Sequence, residues 1–298
     1  MDQTGPMDVT PDPPRSAPLS AGTTVVGVIG DPVAHSLSPL LHNTAFAVMG
    51  LDWVSVGFRV QAGHAGDALA GAGALGIRGL SVTMPHKESV AELVGQRSAL
   101  SELLGAVNCV VRTEDVWVGH NTDGPGFVSS LRRNGHDPEG MHCLVVGAGG
   151  AARAVVAGLA GAGAAEVVVV NRSPERAASA AALAGPVGRV GRESDASSSD
   201  LVVNATPLGM GDPGEHGTAW PVAPAHLHAG QVVVDLVYHP WVTPWMDAAR
   251  ARGARVANGA GMLVHQAALQ LEAWTGLEVP VESMWKAVSG PGAGGAGS

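Results

Sequence analysis

The sequence predicts an α/β fold with two domains: an N-terminal α/β domain and a Rossmann-like, doubly wound dinucleotide domain. Short apolar runs alternate with helix-like stretches along nearly all of the 298 residues, which is the pattern of βαβ units. A glycine-rich turn at residues 147–152 directly follows the apolar run 143–146 and opens a helix-like stretch, as dinucleotide-binding units do. The length is sufficient for two domains, each with its own core.

In the first half, the apolar runs predict strands at 25–29, 54–58, 79–82 and 107–111. Helices are expected between them, at 39–49 and 65–75. The apolar segments 107–112 and 116–120 are separated by Thr113-Glu114-Asp115, and this spacing predicts a hairpin.

The second half repeats the alternation of strand and helix. Strands are predicted at 142–146, 167–170, 201–204 and 231–236, and a helix is predicted at 259–274 with another beginning at Val281. The proline-rich residues 1–23 and the Gly/Ala/Ser tail 289–298 are predicted to be disordered. Domain boundaries are expected near Gly124, where the hairpin ends, and near Asn258-Gly259, which divides the ordered chain into 24–123, 124–258 and 259–288.

Composition argues against several classes of partner. The balance of 17 Lys+Arg against 26 Asp+Glu disfavours nucleic acid and anionic membrane surfaces. The longest apolar stretch, 144–170, is interrupted by Arg153 and Glu166, so no transmembrane helix is predicted. Cys109 and Cys143 lie beside apolar strand-like residues, so we expect buried free thiols in a cytoplasmic protein, and they cannot form a zinc site on their own.

The glycine-rich turn predicts a site for a pyrophosphate. Gly147 permits a tight turn, Gly149 allows the backbone to approach the phosphates, and Ala152 allows close packing of helix on strand. The amides at the start of the following helix then point at the phosphates. The match is more specific than an isolated glycine motif because a strand precedes it and a helix follows it.

The residues after the next strand favour NADP over NAD. That strand ends in Asn171-Arg172-Ser173, where an NAD enzyme usually carries an acidic residue for the ribose 2′-hydroxyl. The planar guanidinium of Arg172 suits a 2′-phosphate, and Arg176 would add a second positive charge. The alternative for both arginines is a solvated surface charge.

Lys87 and Asp123 are candidates for proton transfer, because hydride transfer to a ketone leaves a negative oxygen that must be protonated. Each follows a strand-like run beside Pro or Gly, where loops carry functional groups. Outside this context the lysine would be a surface residue and the aspartate a turn residue. Ser36 and Ser38 are candidates for holding a carboxylate, although Ser38 before Pro39 could equally cap a helix.

Seven motifs resemble those of the shikimate dehydrogenase family and occur in the family's order, over about residues 24 to 288. They are HSLSP (35–39), SVTMPHK (81–87), GAVN (105–108), GHNTDG (119–124), NATPLGM (204–210), DLVY (235–238) and NGAGMLVHQ (258–266). Together they are far more specific than the glycine-rich turn.

The resemblance implies NADP-linked interconversion of 3-dehydroshikimate and shikimate in aromatic amino-acid (chorismate) biosynthesis, by a monomer or homodimer. It implies a cleft between a substrate-binding catalytic domain (24–123) and an NADP domain (124–258), with the last helices returning to the first domain. The implied acid/base pair is Lys87 and Asp123. The implied substrate-binding residues are Ser36 and Ser38 for the carboxylate, Thr83, Asn108 and Asp123 for the ring hydroxyls, and Ser81, Tyr238 and Gln266 around the pocket. The implied cofactor-binding residues are Gly147, Ala148, Gly149, Gly150, Ala151, Asn171, Arg172, Ser173, Arg176, Thr206, Leu236 and Gly259.

The sequence departs from the family pattern at Ser81, where many members have asparagine. A serine hydroxyl is shorter than a carboxamide, so quinate or an amino-substituted shikimate is an alternative substrate. A non-catalytic ligand sensor is a second alternative, which the presence of both Lys87 and Asp123 disfavours. A methylene-folate dehydrogenase would share the architecture, but the paired serines and Asn108 suit a polyhydroxylated carboxylate better. Tyr238 has core packing as its alternative, and Gln266 an exposed helix surface.

Overall fold

The computed structural model describes residues 18–211 and 220–289. Most of the two segments that the sequence predicts to be disordered lies outside this range. The described chain forms two six-stranded sheets flanked by helices, so the predicted α/β class is confirmed.

The strands are β1 (Thr24–Gly30), β2 (Trp53–Arg59), β3 (Gly79–Val82), β4 (Gln96–Arg97), β5 (Cys109–Thr113), β6 (Val116–His120), β7 (His142–Val146), β8 (Glu166–Val170), β9 (Gly188–Val190), β10 (Leu201–Asn204), β11 (Val232–Asp235) and β12 (Arg255–Asn258). The helices are α1 (Ser38–Met49), α2 (Ala65–Ala74), α3 (Lys87–Leu93), α4 (Ala99–Leu104), α5 (Asp123–Arg133), α6 (Gly150–Gly161), α7 (Pro174–Ala181), α8 (Pro244–Ala251), α9 (Ala260–Thr275) and α10 (Val281–Ser289).

The first sheet is mixed and has the strand order β2-β1-β3-β5-β6-β4. Strand β1 pairs in parallel with β2 and β3, whereas β5 is antiparallel to both β3 and β6. The predicted hairpin is therefore present as β5 and β6, and Glu114 takes a positive φ of 51° in its turn. Because β3 and β5 run in opposite directions, the end of β3 lies beside the start of β5, and Ser81 is in register with Cys109.

The second sheet is entirely parallel, with the order β12-β11-β10-β7-β8-β9. This is the doubly wound dinucleotide-binding order, in which the chain reverses direction of winding between the two central strands, here β7 and β10. Val145, Val167 and Val203 are completely buried beneath the helices of this half, as expected for parallel strands that are covered on both faces. The reversal leaves a crevice at the carboxyl ends of β7 and β10.

The last two helices leave the second sheet and pack on the first half, as predicted. Their buried side chains share one core with strand β1 and helix α1: Val26, Phe46, Leu271, Trp274 and Met284 belong to a single apolar cluster. The indole of Trp274 donates to the carbonyl of Val110 at 3.0 Å, which fastens α9 to β5.

Five short elements were not predicted, namely α3, α4, β4, β9 and β12, and neither was the longer helix α5. The five short elements have between two and seven residues, which is too short for periodicity to be recognised. Helix α3 begins at Lys87, and α5 begins at Asp123, so the two candidate proton-transfer residues occupy the first positions of helices and not loops.

Candidate active site

Lys87 and Asp123 form an ion pair, with 2.5 Å between the lysine Nζ and the aspartate Oδ2. Their side chains are 25% and 9% exposed, so the pair is shielded and still reachable from solvent. Lys87 is one of two lysines in the chain, and the other, Lys286, is exposed on α10. The backbone carbonyl of Lys87 accepts from the amide of Val107 at 2.9 Å, which ties the start of α3 to the strand that leads to the rest of the site.

Asn108 fixes the second carboxylate oxygen of Asp123. Its Nδ2 donates to Oδ1 of Asp123 at 2.7 Å and to the hydroxyl of Thr122 at 3.0 Å, while its Oδ1 accepts from the amide of Thr122 at 2.8 Å. Asn121 Oδ1 accepts from the amide of Asp123 at 3.1 Å. Asn108 and Asp123 are buried, so the carboxylate is held in one orientation.

Helix α9 supplies the wall behind this carboxylate. A Cβ at Gly126 would lie 2.6 Å from the backbone nitrogen of Gln266, so the glycine is what allows α5 and α9 to approach so closely. Gln266 is buried, and the alternative of an exposed surface glutamine is wrong. Its neighbour Gln270, which the sequence analysis missed, is completely buried and donates to the carbonyl of Asn108 at 3.2 Å.

The remaining predicted substrate residues lie at the ends of β1, β3 and β11. The amide of Ser38 donates to the hydroxyl of Ser36 at 3.3 Å. The residue before α1 is Leu37, with no side-chain capping bond, so the alternative that Ser38 caps the helix is wrong. Thr83 follows β3, and a Cβ at Gly30 would overlap its methyl group.

Ser81 is buried near the end of β3. Tyr238 is 36% exposed on the loop after β11, so core packing is not its role. No hydrogen bond between Tyr238 and the acid/base pair is present among the described residues, and the part of Tyr238 in the site stays a prediction.

The glycine-rich turn occupies the crevice between β7 and β10. Gly147 has a φ of +118°, and a Cβ there would lie 2.8 Å from the carbonyl oxygen of Ala205, so only glycine fits. Apart from chain neighbours and the helix's own backbone, no described residue lies within 4 Å of a Cβ at Gly149 or Gly150, and residues 149–151 are exposed. The start of α6 therefore offers open backbone amides to an anion.

Two arginines stand beside this opening at the end of β8. Arg172 and Arg176 are both exposed, and neither forms an ion pair within the described residues. Ser173 caps α7 by accepting from the amide of Arg176 at 3.4 Å, and Asn171 donates to the carbonyl of Ser173 at 3.1 Å. The cap holds the turn, and both guanidinium groups remain available for a phosphate.

A buried polar cluster, which the sequence analysis did not recognise as structural, shapes the opposite wall of the crevice. Asp235 accepts from Asn204 Nδ2 at 2.8 Å and from the Thr243 hydroxyl at 2.7 Å. Burial raises the pKa of Asp235, while the hydrogen bonds from Thr243, the Val237 amide and Asn204 oppose that shift. The signal in the sequence was the placement of Asn204 and Asp235 as the last residues of adjacent strands.

This cluster positions the predicted cofactor residues of the second half. Asn204 Oδ1 accepts from both the amide and the hydroxyl of Thr206, at 3.0 and 2.6 Å. A Cβ at Gly259 would overlap the carbonyl of Leu236, so the chain passes from β12 to α9 directly against the loop after β11.

Helix α5, which begins at Asp123, packs against the helix that follows the glycine-rich turn and so brings the acid/base pair next to the dinucleotide crevice. A Cβ at Gly124 would lie 2.5 Å from the carbonyl oxygen of Ala154, and one at Gly158 would lie 2.9 Å from the carbonyl oxygen of Gly124. Helices α5 and α6 therefore cross in backbone contact. Arg153 of α6 also donates to the carbonyl of Leu104 in the first half at 3.0 Å. The fold and the site define a two-domain α/β oxidoreductase that binds a dinucleotide.

Three family models match the chain: the shikimate dehydrogenase substrate binding domain at 28–110, shikimate/quinate 5-dehydrogenase at 131–205, and the shikimate 5'-dehydrogenase C-terminal domain at 259–288. The shikimate dehydrogenase (NADP+) of Moorella thermoacetica is 44% identical over 294 residues, covering 93% of this chain and 99% of that protein. The chain belongs to the shikimate dehydrogenase family.

Solved structures of this family have the same fold. A crystal structure of a shikimate dehydrogenase in complex with NADP+ superposes with a TM-score of 0.86 at 35% identity, covering 92% of this chain and 97% of that one. The Thermus thermophilus enzyme in complex with NADP(H) and shikimate superposes with a TM-score of 0.82 at 36% identity, covering 89% and 98%. In the described part of the chain no helix is both long and apolar enough to cross a membrane.

Proposed function

We propose that this chain is an NADP-dependent shikimate dehydrogenase that interconverts 3-dehydroshikimate and shikimate in aromatic amino-acid biosynthesis. The observation that carries the proposal is the Lys87–Asp123 ion pair of 2.5 Å, which lies on helices adjoining an open dinucleotide crevice. A ligand sensor of the same fold needs no shielded lysine–carboxylate pair, whereas a dehydrogenase needs a proton donor at the reacting oxygen.

The residues of the second half fit the cofactor. Gly147 is a position where any side chain would collide with backbone, and the exposed start of α6 offers amides to the pyrophosphate. Arg172 and Arg176 supply two exposed guanidinium groups for a 2′-phosphate. Thr206, Leu236 and Gly259 would line the nicotinamide side. When bound, the dinucleotide supplies the acceptor or donor of the hydride.

The residues of the first half would hold the acid and move its proton. Ser36 and Ser38 donate to the ring carboxylate, and Thr83, Asn108 and Asp123 hold the ring hydroxyls. In the reduction direction, the ammonium of Lys87 gives a proton to the ketone oxygen as the reacting carbon receives the hydride, and Asp123 keeps the lysine directed at that oxygen. In the oxidation direction, the neutral amine of Lys87 takes the proton of the hydroxyl on the same carbon, so charge and atoms balance in both directions.

Ser81 bears on which acid is preferred. It is buried at the end of β3, adjacent in sequence to Val82, whose amide donates to the carbonyl of Asn108 at 2.8 Å. A short hydroxyl at this place leaves room for a water between the protein and a ring hydroxyl. We expect shikimate to remain the preferred substrate, because the groups that hold the carboxylate and the acid/base pair are all present.

The test is the rate of NADPH or NADH formation with shikimate, quinate or no acid, each with NADP+ and with NAD+. Turnover restricted to shikimate with NADP+ is expected. Preference for quinate or for NAD+ would move the assignment to a sister specificity, and absence of turnover by folded protein that still binds NADP+ would favour the sensor. The buried free thiols Cys109 and Cys143 suit a cytoplasmic enzyme, and sedimentation would distinguish monomer from homodimer.

A further inference from the structure

Gln270 of helix α9 is the centre of a buried polar network that no part of the proposed mechanism uses. Its side chain is completely buried, and it contacts groups on three elements: Asn108 before β5, Gln266 one helical turn earlier on α9, and His42 on α1. We propose that Gln270 is a positioning residue, which locks the carboxamide of Gln266 so that a single N–H of Gln266 faces the substrate. This inference rests on the proposed function of Gln266 as a substrate-binding residue.

The orientation of both carboxamides follows from their fixed neighbours. The carbonyl of Asn108 can only accept, so the atom of Gln270 that lies 3.2 Å from it must be the nitrogen Nε2. The same Nε2 lies 2.9 Å from the side chain of Gln266, which must therefore present its oxygen Oε1. Gln266 then has its own Nε2 on the other side, where one hydrogen is donated to the carbonyl of Leu263 at 2.9 Å.

One hydrogen of Gln266 Nε2 remains after these bonds are made. Gln266 is not fully enclosed, since 7% of its surface is exposed, and the helix that carries it lies in backbone contact with α5 at Gly126. Asp123 is the first residue of α5. The remaining N–H therefore suits an acceptor oxygen on the substrate, and a rotated carboxamide would present a carbonyl there instead.

His42 holds Gln270 from the opposite side. Within the described residues, His42 Nε2 and Gln270 Oε1 are the two buried side-chain polar atoms that have no hydrogen-bond partner of good geometry. The two atoms are complementary as donor and acceptor. The other ring nitrogen of His42, Nδ1, lies 2.9 Å from the hydroxyl of Ser55, and the nitrogen of Gln270 already donates to Asn108 and Gln266, so Nε2 of His42 is left to face the oxygen of Gln270. A neutral His42 with its proton on Nε2 satisfies both atoms. The interaction with Gln270 raises the pKa of His42 against the larger effect of burial, as an acceptor oxygen facing the imidazole N–H would.

The experiment is a double-mutant cycle with Gln270→Met and Gln266→Met, since methionine keeps the volume of glutamine and removes its hydrogen bonds. Glu272→Gln is the matched control, because Glu272 is exposed on the same helix. We expect Gln266→Met to raise KM for shikimate about tenfold, the loss of one hydrogen bond. Gln270→Met is expected to raise it about threefold to tenfold, with KM for NADP+ changed less than about twofold.

A residue that acts through Gln266 adds nothing once Gln266 is gone. The double variant should therefore have the KM of Gln266→Met alone. Multiplied effects, or an unchanged KM in Gln270→Met, would overturn the proposal. A loss of NADP+ binding or a lowered melting temperature with proportionate loss of kcat would indicate general destabilisation, and that result would also count against a positioning role.

A second readout is independent of substrate turnover. The side-chain amide resonances of Gln266, assigned by their disappearance in Gln266→Met, should shift and broaden in Gln270→Met and stay unchanged in Glu272→Gln. Gln270→Ala serves as a second variant if the methionine does not fold. Gln266 resonances that do not respond in Gln270→Met would refute the positioning role, whether or not the protein oxidises shikimate. Failure of the unsubstituted protein to oxidise shikimate would refute the proposed function alone.

Discussion

The burial of His42 predicts a specific loss of stability at mildly acidic pH. Burial lowers the pKa of His42 from 6.5 to about 3, and a hydrogen bond to Gln270 opposes the shift. The folded protein therefore keeps this imidazole neutral, whereas the unfolded chain protonates it below pH 6.5. Because the unfolded state binds the extra proton, the free energy of unfolding falls as the pH falls, by about 1.4 kcal/mol per pH unit below 6.5.

Between pH 7 and pH 5 this one group should lower the free energy of unfolding by about 2 kcal/mol. Urea unfolding of the unsubstituted protein and of His42→Met at both pH values measures the effect. The variant is less stable at pH 7, because Ser55 and Gln270 lose a partner, but its stability should fall with pH by about 2 kcal/mol less. Equal pH dependence in the two proteins, within about 0.5 kcal/mol, would refute the reasoning. The other histidines whose pKa is lowered, His120, His136 and His265, are present in both proteins and cancel in the comparison.

Three further predictions concern the site and the contact between helices α5 and α6. Lys87→Met should lower kcat about 100-fold or more, the range for a positioned acid/base group, with little change in KM. The control variant Lys286→Met should leave the steady-state kinetics unchanged. Unchanged turnover in Lys87→Met would remove that lysine from the mechanism. Arg172→Asp should raise KM for NADP+ and improve the use of NAD+, because a carboxylate repels the 2′-phosphate; a cofactor preference that does not move would mean that the phosphate binds elsewhere. Gly124→Ala should destabilise the protein by about 1–3 kcal/mol in urea unfolding, because its Cβ would meet the backbone of α6. Gly161→Ala should be neutral or slightly stabilising, because its Cβ would meet none of the described residues within 4 Å outside its own helix.

The fold was largely predictable because its longer elements carry strong signals. Strand β7 and strand β10 have the predicted limits, since each is a continuous apolar run bounded by polar residues or glycine. The parallel order of the second sheet follows from the glycine-rich turn and the repeated strand–helix pattern. Short elements such as α3 were missed, because their conformation depends on tertiary contacts such as the bond between Lys87 and Val107.

The chemistry of the site was predictable only in part. The spacing of Lys87 and Asp123 carries no information about their distance, and only the resemblance to a family indicated that they act together. The roles of Asn108 and Gln270 depend on bonds between residues up to 162 positions apart, for which local sequence has no signal. Asp235 lies in a recognisable motif, but its hydrogen bonds to Asn204 and Thr243 join residues that are distant in sequence or on different elements, for which the motif carries no signal.

The crossing of α5 and α6 at Gly124 and Gly158 restricts how this enzyme can be recombined. The second half has its own sheet and core, so replacing it with the corresponding half of a relative is an obvious way to change cofactor use. Yet the carbonyl of Gly124 lies where a side chain at position 158 would be, and the next residue back along α5 is Asp123. In a chimaera joined between α5 and α6, an incoming residue larger than glycine at position 158 would push against the first turn of α5 and displace the carboxylate from its lysine. Successful exchange must carry the two glycines as a matched pair.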